Sequence, residues 1–362
     1  MNDSLSTAVL EDAQTPPVAG TLREVAPRVH WLRMPLPFAL DHVNLWLLEE
    51  DAGFTLVDCG YGNATTRAHW QQLFDGPLAR SPIHRIVVTH CHPDHLGNAT
   101  WLAARFGCPI FMTFGEFVAG HGKRDEHSGY GLASVEAHFA RHGMPREQRA
   151  ALHARGNTYR VGVPEVPRTF TRLIAGDRLD IGHAVWRVIT GYGHSPEHAA
   201  LACESSELLI SGDMLLPKIS TNVSVWPNEP EGDPVARFLD SLRAFEALSP
   251  ATLVLPSHGP PFRGIAARVA RLRAHHAERL DELHRAIVAA PQPQSAHDVL
   301  PVLFRRKLDL QQTSFAMGEA IAHLNCLCHA GRVRRIVADD GSVRFAAQNR
   351  SHQRATPHLP PT

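Results

Sequence analysis

The chain has 362 residues, with 36 Lys and Arg side chains against 36 Asp and Glu, so its formal net charge is zero. Its 44% hydrophobic and 20% charged residues are typical of a folded protein and exclude disorder as the main state. No run approaches the ~20 apolar residues of a membrane-spanning helix, and the balanced charge gives no general attraction to nucleic acid or anionic membranes. The length predicts two domains, or one large domain with an appendage.

Residues 1–24 are predicted to form a flexible N-terminal segment, because they contain Pro16-Pro17 and few large apolar side chains. The segment lacks the basic and apolar stretches of a secretory signal. The six cysteines are scattered, and none forms a C-x-x-C pair. These features predict a cytoplasmic protein with free thiols.

Short apolar runs separated by turns predict strands in the first third of the chain, and helical spacing of apolar residues predicts helices between them. The predicted strands are 29–32, 43–48, 54–57 and 86–88, and the predicted helices are 63–75 and 96–106.

Residues 114–168 have a different composition, rich in His, Arg, Gly and Glu, with weak helical segments at 134–141 and 146–153. We predict a helical insertion here. Strands and helices alternate again beyond it. The predicted strands lie near 173 and at 186–189, 199–203, 208–210 and 253–255, and the predicted helices are 233–248 and 265–289.

The run Pro-Gln-Pro-Gln at 291–294 indicates a domain boundary. Beyond it, Met317, Ile321 and Leu324 repeat at helical spacing, and the runs 333–337 and 343–345 predict a β-hairpin around Asp340-Gly341. We therefore predict a winged-helix-like module over 291–349 and a disordered tail over 350–362.

The strongest chemical signal is the run His90-x-His92-x-Asp94-His95, which follows the predicted strand at 86–88. In an extended segment residues 90 and 92 point to the same side, because the side-chain period is two. Asp94 and His95 lie at the turn into the next helix and can face a second point nearby. Imidazole and carboxylate ligands suit Zn²⁺, with Fe and Mn as alternatives. The run therefore predicts a metal site.

Three further candidate ligands follow predicted strands: His194 in Gly-His-Ser-Pro, Asp213 in Ser-Gly-Asp and His258 in Ser-His-Gly. Functional residues gather where strands give way to loops. A lone histidine is usually structural, and a chain with 24 histidines offers a few attractive positions by chance. Four positions with a fixed internal spacing do not arise easily in this way. Glu197 and His198 are either supporting groups or ordinary strand residues.

The order of these motifs resembles the metallo-β-lactamase-fold hydrolase superfamily over residues 25–290. The resemblance implies an α/β protein with an αββα sandwich, a cleft at one edge and two divalent metal ions. A complete Asp and His ligand set is similar to the glyoxalase II and lactonase branches, whereas secreted β-lactamases carry Cys where this chain has Asp213. The resemblance implies that His90, His92 and His194 hold the first ion, that Asp94, His95 and His258 hold the second, that Asp213 bridges both, and that Asp58 supports the ligands.

A pair of divalent ions lowers the pKa of a shared water from ~15.7 toward ~7, so that a bridging hydroxide can attack a substrate at neutral pH. Asp94 is the candidate catalytic residue, because it can ligate and also handle the proton. Our first hypothesis is a hydrolase of a small-molecule thioester, ester or lactone, with an acyl-CoA or glutathione thioester favoured. Hydrolysis of β-lactam antibiotics fits the ligand set less well.

The main alternative is a lactamase-like endoribonuclease that holds RNA with the C-terminal module. Residues 291–362 carry nine basic residues against five acidic ones. They lack the aromatic series with which single-strand binders stack bases. We therefore expect a small-molecule substrate and neither nucleic acid nor a membrane as partner. A homo-oligomer formed through this module is a further hypothesis.

The insertion at 114–168 lies between the first ligand cluster and His194, which predicts a lid over the cleft. Several of its side chains, Lys123 among them, are candidates to bind an acidic group of the substrate. A solvated lid without substrate contacts is an equally good interpretation. The candidate substrate-binding residues are His127 and Tyr130 in the insertion, and Lys218 and Arg263 after the distant ligands.

Overall fold

The computed structural model describes residues 10–11 and 15–348, so the predicted tail over 350–362 lies outside the described residues. The strands are β1 (Leu10–Glu11), β2 (Arg23–Ala26), β3 (Val29–Pro35), β4 (His42–Glu50), β5 (Gly53–Val57), β6 (Ile83–Val87), β7 (Ile110–Thr113), β8 (Thr171–Leu173), β9 (Arg178–Ile181), β10 (Ala184–Gly191), β11 (His198–Cys203), β12 (Leu208–Gly212), β13 (Leu253–Pro256), β14 (Phe262–Arg263), β15 (Val333–Val337) and β16 (Val343–Ala347). The helices are α1 (Ala64–Asp75), α2 (Pro93–Leu96), α3 (Ala99–Phe106), α4 (Phe114–Arg124), α5 (Leu132–Arg141), α6 (Arg146–Arg155), α7 (Tyr159–Gly162), α8 (Pro234–Ser241), α9 (Arg243–Glu246), α10 (Ile265–Ala289), α11 (Leu300–Leu303) and α12 (Leu310–His329).

The strands form two seven-stranded sheets and one hairpin. The first sheet has the order β2-β3-β4-β5-β6-β7-β8 and is parallel from β5 onward. The second has the order β1-β14-β13-β12-β11-β10-β9, with β12 and β13 parallel. Parallel neighbours end at the same edge of a sheet, so the loops after β5 and β6, and those after β12 and β13, leave together.

The sandwich has four layers: helices, the two sheets, and helices again. The alternation of side chains along the strands shows this arrangement. Trp31 and Trp46 of the first sheet pack with Trp186 of the second in a core between the sheets. Leu45, adjacent to Trp46, points the other way, into the core under α1 and α3. Ala200 of β11 likewise faces the helices on the outside of the second sheet. This period of two, with both faces buried, confirms the predicted αββα sandwich.

Side-chain capping explains where two of the predicted helices begin. Asn63 accepts a hydrogen bond from the Thr66 amide at the start of α1, and Asp233 accepts one from the Ala236 amide at the start of α8. The predicted helix over 233–248 is instead two helices, α8 and α9. Strands β7 and β9 were not predicted. Strand β9 is a partly exposed edge strand and lacks a continuous apolar run.

Parts of the N-terminal stretch over 1–24, which was predicted to be flexible, form strands where the structure describes them. Strand β1 pairs antiparallel with β14, with Leu10 opposite Arg263 and Glu11 opposite Phe262. Strand β2 begins at Arg23 and pairs with β3. Backbone hydrogen bonds at a sheet edge do not require the large apolar side chains on which the prediction depended.

The predicted helical insertion is present as α4 to α7 and packs against the loops that carry the candidate ligands. The Gly115 amide donates to Glu197 Oε2 at 2.9 Å, and the Tyr159 hydroxyl donates to the carbonyl of Cys91 at 2.7 Å. Farther along the insertion, Phe139 and Leu152 enter the same core as the C-terminal helices. The insertion therefore connects the candidate site to the C-terminal region.

The C-terminal region contains the predicted helices and hairpin, α10 to α12 followed by β15 and β16. Val333 and Phe345 of the hairpin share one continuous core with Phe238 and Val254 from the sandwich. The proline-rich run at 291–294 therefore connects two parts of the chain that contribute to the same core. Within the described part of the chain, no helix is both long and apolar enough to cross a membrane.

Glu319 on α12 joins the C-terminal region to the loop that follows β12. Its Oε2 accepts a hydrogen bond from Asn222 Nδ2 at 3.1 Å, and the neighbouring carbonyl of Gly318 accepts one from the Val225 amide at 3.0 Å. Burial raises the pKa of Glu319 to about 7 from the ordinary value of 4.5. Folding therefore favours the protonated carboxyl group.

The contribution of Glu319 to stability should depend on pH. Because its pKa is raised in the folded state, the contribution is complete below pH ~4.5 and is lost as the pH rises through ~7. We expect E319Q to match the wild type near pH 5 and to exceed its free energy of unfolding by about 1–3 kcal/mol at pH 8. Urea unfolding at both values measures this difference. E278Q, on an exposed position of α10, is the control, and an unchanged pH dependence in E319Q would contradict the assignment.

Candidate metal centre

Four strand ends meet where the edges of the two sheets come together. Asp58 directly follows β5, and the segment with His90 and His92 follows β6. In the second sheet, Asp213 follows β12 and His258 comes after β13. Hydrogen bonds from the Ala199 amide to the carbonyl of Thr89 and from the Asn44 amide to that of Ser257 hold the edges together. The sandwich thus brings together residues that are far apart in the chain.

The first donor group contains His90, His92, His194 and Asp213, whose ligand atoms all lie within 4.8 Å of one another. His90 Nε2 lies 2.9 Å from His92 Nδ1 and 3.2 Å from His194 Nε2. Three imidazole nitrogens pointing at one another are a poor arrangement unless a proton or a cation lies between them. This group matches the first set of the predicted ligands.

The second donor group contains Asp94, His95 and His258. Asp94 Oδ2 lies 3.5 Å from His95 Nε2 and 3.4 Å from His258 Nε2. The Asp94 side chain is 17% exposed, whereas His95 is fully buried. The structure therefore brings together all seven residues that the sequence predicts as ligands.

The Asp213 carboxylate lies between the two groups. Its Oδ2 is 3.4 Å from His194 Nε2 in the first group. Its Oδ1 is 3.4 Å from His258 Nε2 and 3.6 Å from His95 Nε2 in the second. Each oxygen therefore faces a different set of donors, as a bridging ligand would.

Hydrogen bonds behind the rings determine which imidazole nitrogen carries the proton. His194 Nδ1 donates to the carbonyl of Asn222, and His258 Nδ1 donates to the carbonyl of His42, both at 2.8 Å. Because a carbonyl only accepts, Nδ1 of each ring carries a proton, and Nε2 is the nitrogen directed into the site. Such partners orient the ligands of metal sites.

Asp58 supports the second group from below, as the resemblance implied. Its carboxylate accepts hydrogen bonds from His95 Nδ1 and from the Thr89 amide, both at 2.8 Å. Asp58 has a φ of 63°, a left-handed conformation that is unfavourable for a residue other than glycine. Its position requires this strained backbone, which is typical of functional sites.

The electrostatics of the site favour cations. Burial lowers the pKa of His90 well below its ordinary value, and the adjacent His95 ring lowers it further. Burial opposes charge on Asp213, but His258 and His95 outweigh it and hold the pKa of Asp213 well below its usual range. Among the described residues, His95 Nε2 and Asp213 Oδ1 have no hydrogen-bond partner. Buried, unpaired nitrogen and oxygen donors fit divalent metal ions.

Several supporting residues were not predicted. His42 supplies the carbonyl behind His258, and its Nε2 accepts from the Gly259 amide at 3.0 Å. Buried Glu116 accepts from the Cys91 and Glu197 amides at 2.8 and 2.7 Å. His198 Nε2 accepts a hydrogen bond from the amide of Asp213. This contact favours a supporting role for His198 over that of an ordinary strand residue. Since these contacts depend on tertiary packing, no local sequence pattern marks them.

A cavity of about 480 Å³ opens beside the first donor group and is lined by His92 and His194. Its other walls come from the insertion and from the segments after β10 and β12. The lining residues include Phe114, Val118, Lys123, Tyr130, Trp226 and Arg237. Most of these side chains are apolar or aromatic, as in typical small-molecule sites.

Of the four predicted substrate-binding residues, the structure brings Tyr130 into this cavity, but not the others. His127 and Lys218 are exposed and do not line it. Arg263 is a correction, because its guanidinium donates to the carbonyl of Ala251. That carbonyl precedes β13, at the opposite end from His258, since antiparallel β14 carries Arg263 back along the sheet.

Comparisons with known proteins agree with this geometry. Residues 39–258 match the family described as the metallo-beta-lactamase superfamily, and residues 280–348 match a metallo-beta-lactamase-like C-terminal domain. A beta-lactamase domain protein from Burkholderia ambifaria is 48% identical, with a TM-score of 0.86 over 95% of this chain and 100% of that chain.

Two curated relatives are more distant. A probable metallo-hydrolase from Bacillus subtilis is 26% identical over 304 residues, which are 82% of this chain and 91% of the relative. An atrochrysone carboxyl ACP thioesterase from Aspergillus fumigatus is 22% identical over 237 residues, 65% of this chain and 56% of the relative. With the family match extending over more than half of its residues, the chain belongs to the metallo-beta-lactamase superfamily of metal-dependent hydrolases.

Proposed function

We propose that the protein uses two divalent metal ions, Zn²⁺ in the first instance, to hydrolyse a small-molecule thioester, ester or lactone. The observation that carries the proposal is the position of Asp213, whose two oxygens face two separate donor groups. His90, His92 and His194 would hold one ion, and Asp94, His95 and His258 the other. The mixed nitrogen and oxygen donors suit Zn²⁺, with Fe and Mn as alternatives.

Bound divalent ions would lower the pKa of water at the site and polarise the carbonyl of the substrate. The protein supplies the positioning. Asn222 and His42 hold the rings of His194 and His258 through their carbonyls. Asp94 faces His95 and His258 through Oδ2, and we assign its other oxygen, Oδ1, to accept a proton during hydrolysis. The apolar walls of the cavity would exclude bulk water from the substrate.

A thioester or another activated acyl compound is the substrate class that the cavity supports best. Its volume of about 480 Å³ suits a small molecule, and Phe114 and Val118 offer apolar contact next to the ligands. The thioesterase activity in the name of one relative supports the same class. An acyl-CoA or glutathione thioester remains our preferred substrate.

The structure gives little support to RNA as the substrate, because three of the basic residues of the C-terminal region have acidic partners. Arg332 pairs with Asp281 at 2.8 Å, and Arg335 pairs with Glu231 at 2.6 Å. Arg305 lies 3.3 Å from Glu282. Phosphates would have to compete with these carboxylates.

Removal of a ligand should abolish activity and metal binding together. We expect H92A and D213A to lower kcat/KM by more than ~100-fold, because loss of a ligand costs at least as much as loss of its supporting partner. Metal content by mass spectrometry should fall in parallel. R243A, which changes an exposed helix residue paired with Asp240, is the control. Full activity after complete removal of metal by a chelator would refute the metal-dependent mechanism.

A hydrolysis panel on metal-analysed protein tests the substrate class. It contains acyl-CoA and glutathione thioesters, acyl-homoserine lactones, a chromogenic cephalosporin and labelled single-stranded RNA. We expect turnover of a thioester or lactone that is lost with chelator and changes little between 50 and 200 mM salt, whereas RNA binding would weaken steeply over the same range. Cleavage of RNA alone would overturn the proposal.

A further inference from the structure

Lys123 is a cation inside the cavity without an acidic partner. Its Nζ lies 4.5 Å from the centre of the Tyr130 ring and 4.8 Å from that of Trp226. Among the described residues it forms neither an ion pair nor a side-chain hydrogen bond. The nearby Glu116 is already engaged, because its two oxygens accept from the Cys91 and Glu197 amides. The aromatic rings hold the ammonium group in place without neutralising its charge.

Helix α4 forms one face of the cavity with Phe114, Val118 and Lys123. Phe114 and Val118 are four residues apart and share one side of the helix, and Lys123 reaches the cavity from the last turn. Phe114 and Val118 are each 49% exposed, an unusual degree for large apolar side chains within a helix. Gly122 makes room for the adjacent ring, since a Cβ there would come within 3.1 Å of Tyr130 Cδ2. The face combines an apolar surface with one positive charge.

The other charges of the cavity balance each other. Arg237 Nη2 lies 2.8 Å from Glu229 Oε1, and both residues line the cavity. Lys123 therefore contributes a single positive charge that no carboxylate holds in an ion pair within the described part of the chain. Burial lowers its pKa, and an arriving anion would offset that cost. One lysine is a point charge and matches a single negative charge such as that of a carboxylate.

We propose that Lys123 binds a carboxylate group of the substrate. The substrate class is then a small thioester, ester or lactone that carries a carboxylate at a distance from the scissile carbonyl. Its apolar part lies on Phe114 and Val118, and the carbonyl reaches the donors at His92 and His194, which line the same cavity. This assignment rests on the proposed function, because it takes the metal centre as the place of hydrolysis.

The test compares two thioesters that differ in one charge: the mono-S-benzyl thioester of glutaric acid and its methyl ester. Zinc-loaded wild type should hydrolyse the acid with a kcat/KM about 10–100-fold above that of the methyl ester, mainly through KM, as expected for a hydrogen bond between charged groups. K123M and K123Q should lose this preference, so that each variant hydrolyses the acid and its methyl ester with similar kcat/KM. K307M makes the same change at an exposed lysine and should behave like the wild type.

A binding measurement separates this inference from the proposed function. Calorimetry with N-benzylglutaramic acid, which resists cleavage, should show at least ~10-fold weaker binding to K123M and K123Q than to the wild type, at equal zinc content. Weak hydrolysis of every thioester combined with this binding difference would refute the thioesterase proposal and leave the Lys123 assignment intact. Equal binding to the wild type and both variants would show that the metal centre holds the carboxylate, and would overturn the assignment.

Discussion

The structure depends on burying the Asp213 carboxylate between two groups of imidazoles. A buried carboxylate is costly unless charge and hydrogen bonds compensate it. Here the compensation comes from elements far apart in the chain: His194 faces one oxygen, while His95 and His258 face the other. The backbone of Asp213 is fixed as well, because its amide donates to His198 and its carbonyl accepts from Thr221. Both sheets must therefore meet in one register for the site to exist.

That requirement explains the unusual features around the site. Asp58 adopts a left-handed backbone so that its carboxylate can reach both His95 and the Thr89 amide. Gly212, with a φ of 53°, leaves no room for a side chain, since a Cβ would lie 2.3 Å from His198 Nε2. Packing elsewhere must compensate such strain. The tryptophan-rich core between the sheets supplies a rigid support for it.

The ligands could be predicted from the sequence because each is a polar residue at the end of an apolar run. That signal is local. The sandwich was instead implied by the resemblance to a known superfamily, and the helical insertion was predicted from its composition. The supporting groups lack such a signal. His42 acts through its backbone carbonyl, which any residue possesses, and Glu116 looks like an ordinary helix residue until its amide partners are known. Arg263 was predicted to bind substrate because it is close to His258 in the sequence. Antiparallel β14 instead carries it away from the site, and this reversal is not visible in the sequence.

The C-terminal helices shape the site without lining it directly. Helix α12 holds the segment after β12 through Glu319 with Asn222 and through Gly318 with Val225. A Cβ on Gly318 would lie 2.8 Å from Ser224, so the close approach requires glycine. The same short segment carries the carbonyl that orients His194 and, four residues after Asn222, the ring of Trp226 beside Lys123. These two contacts with the C-terminal region therefore position both a nitrogen that faces the candidate metal site and a wall of the cavity, which makes this region an integral part of the candidate site.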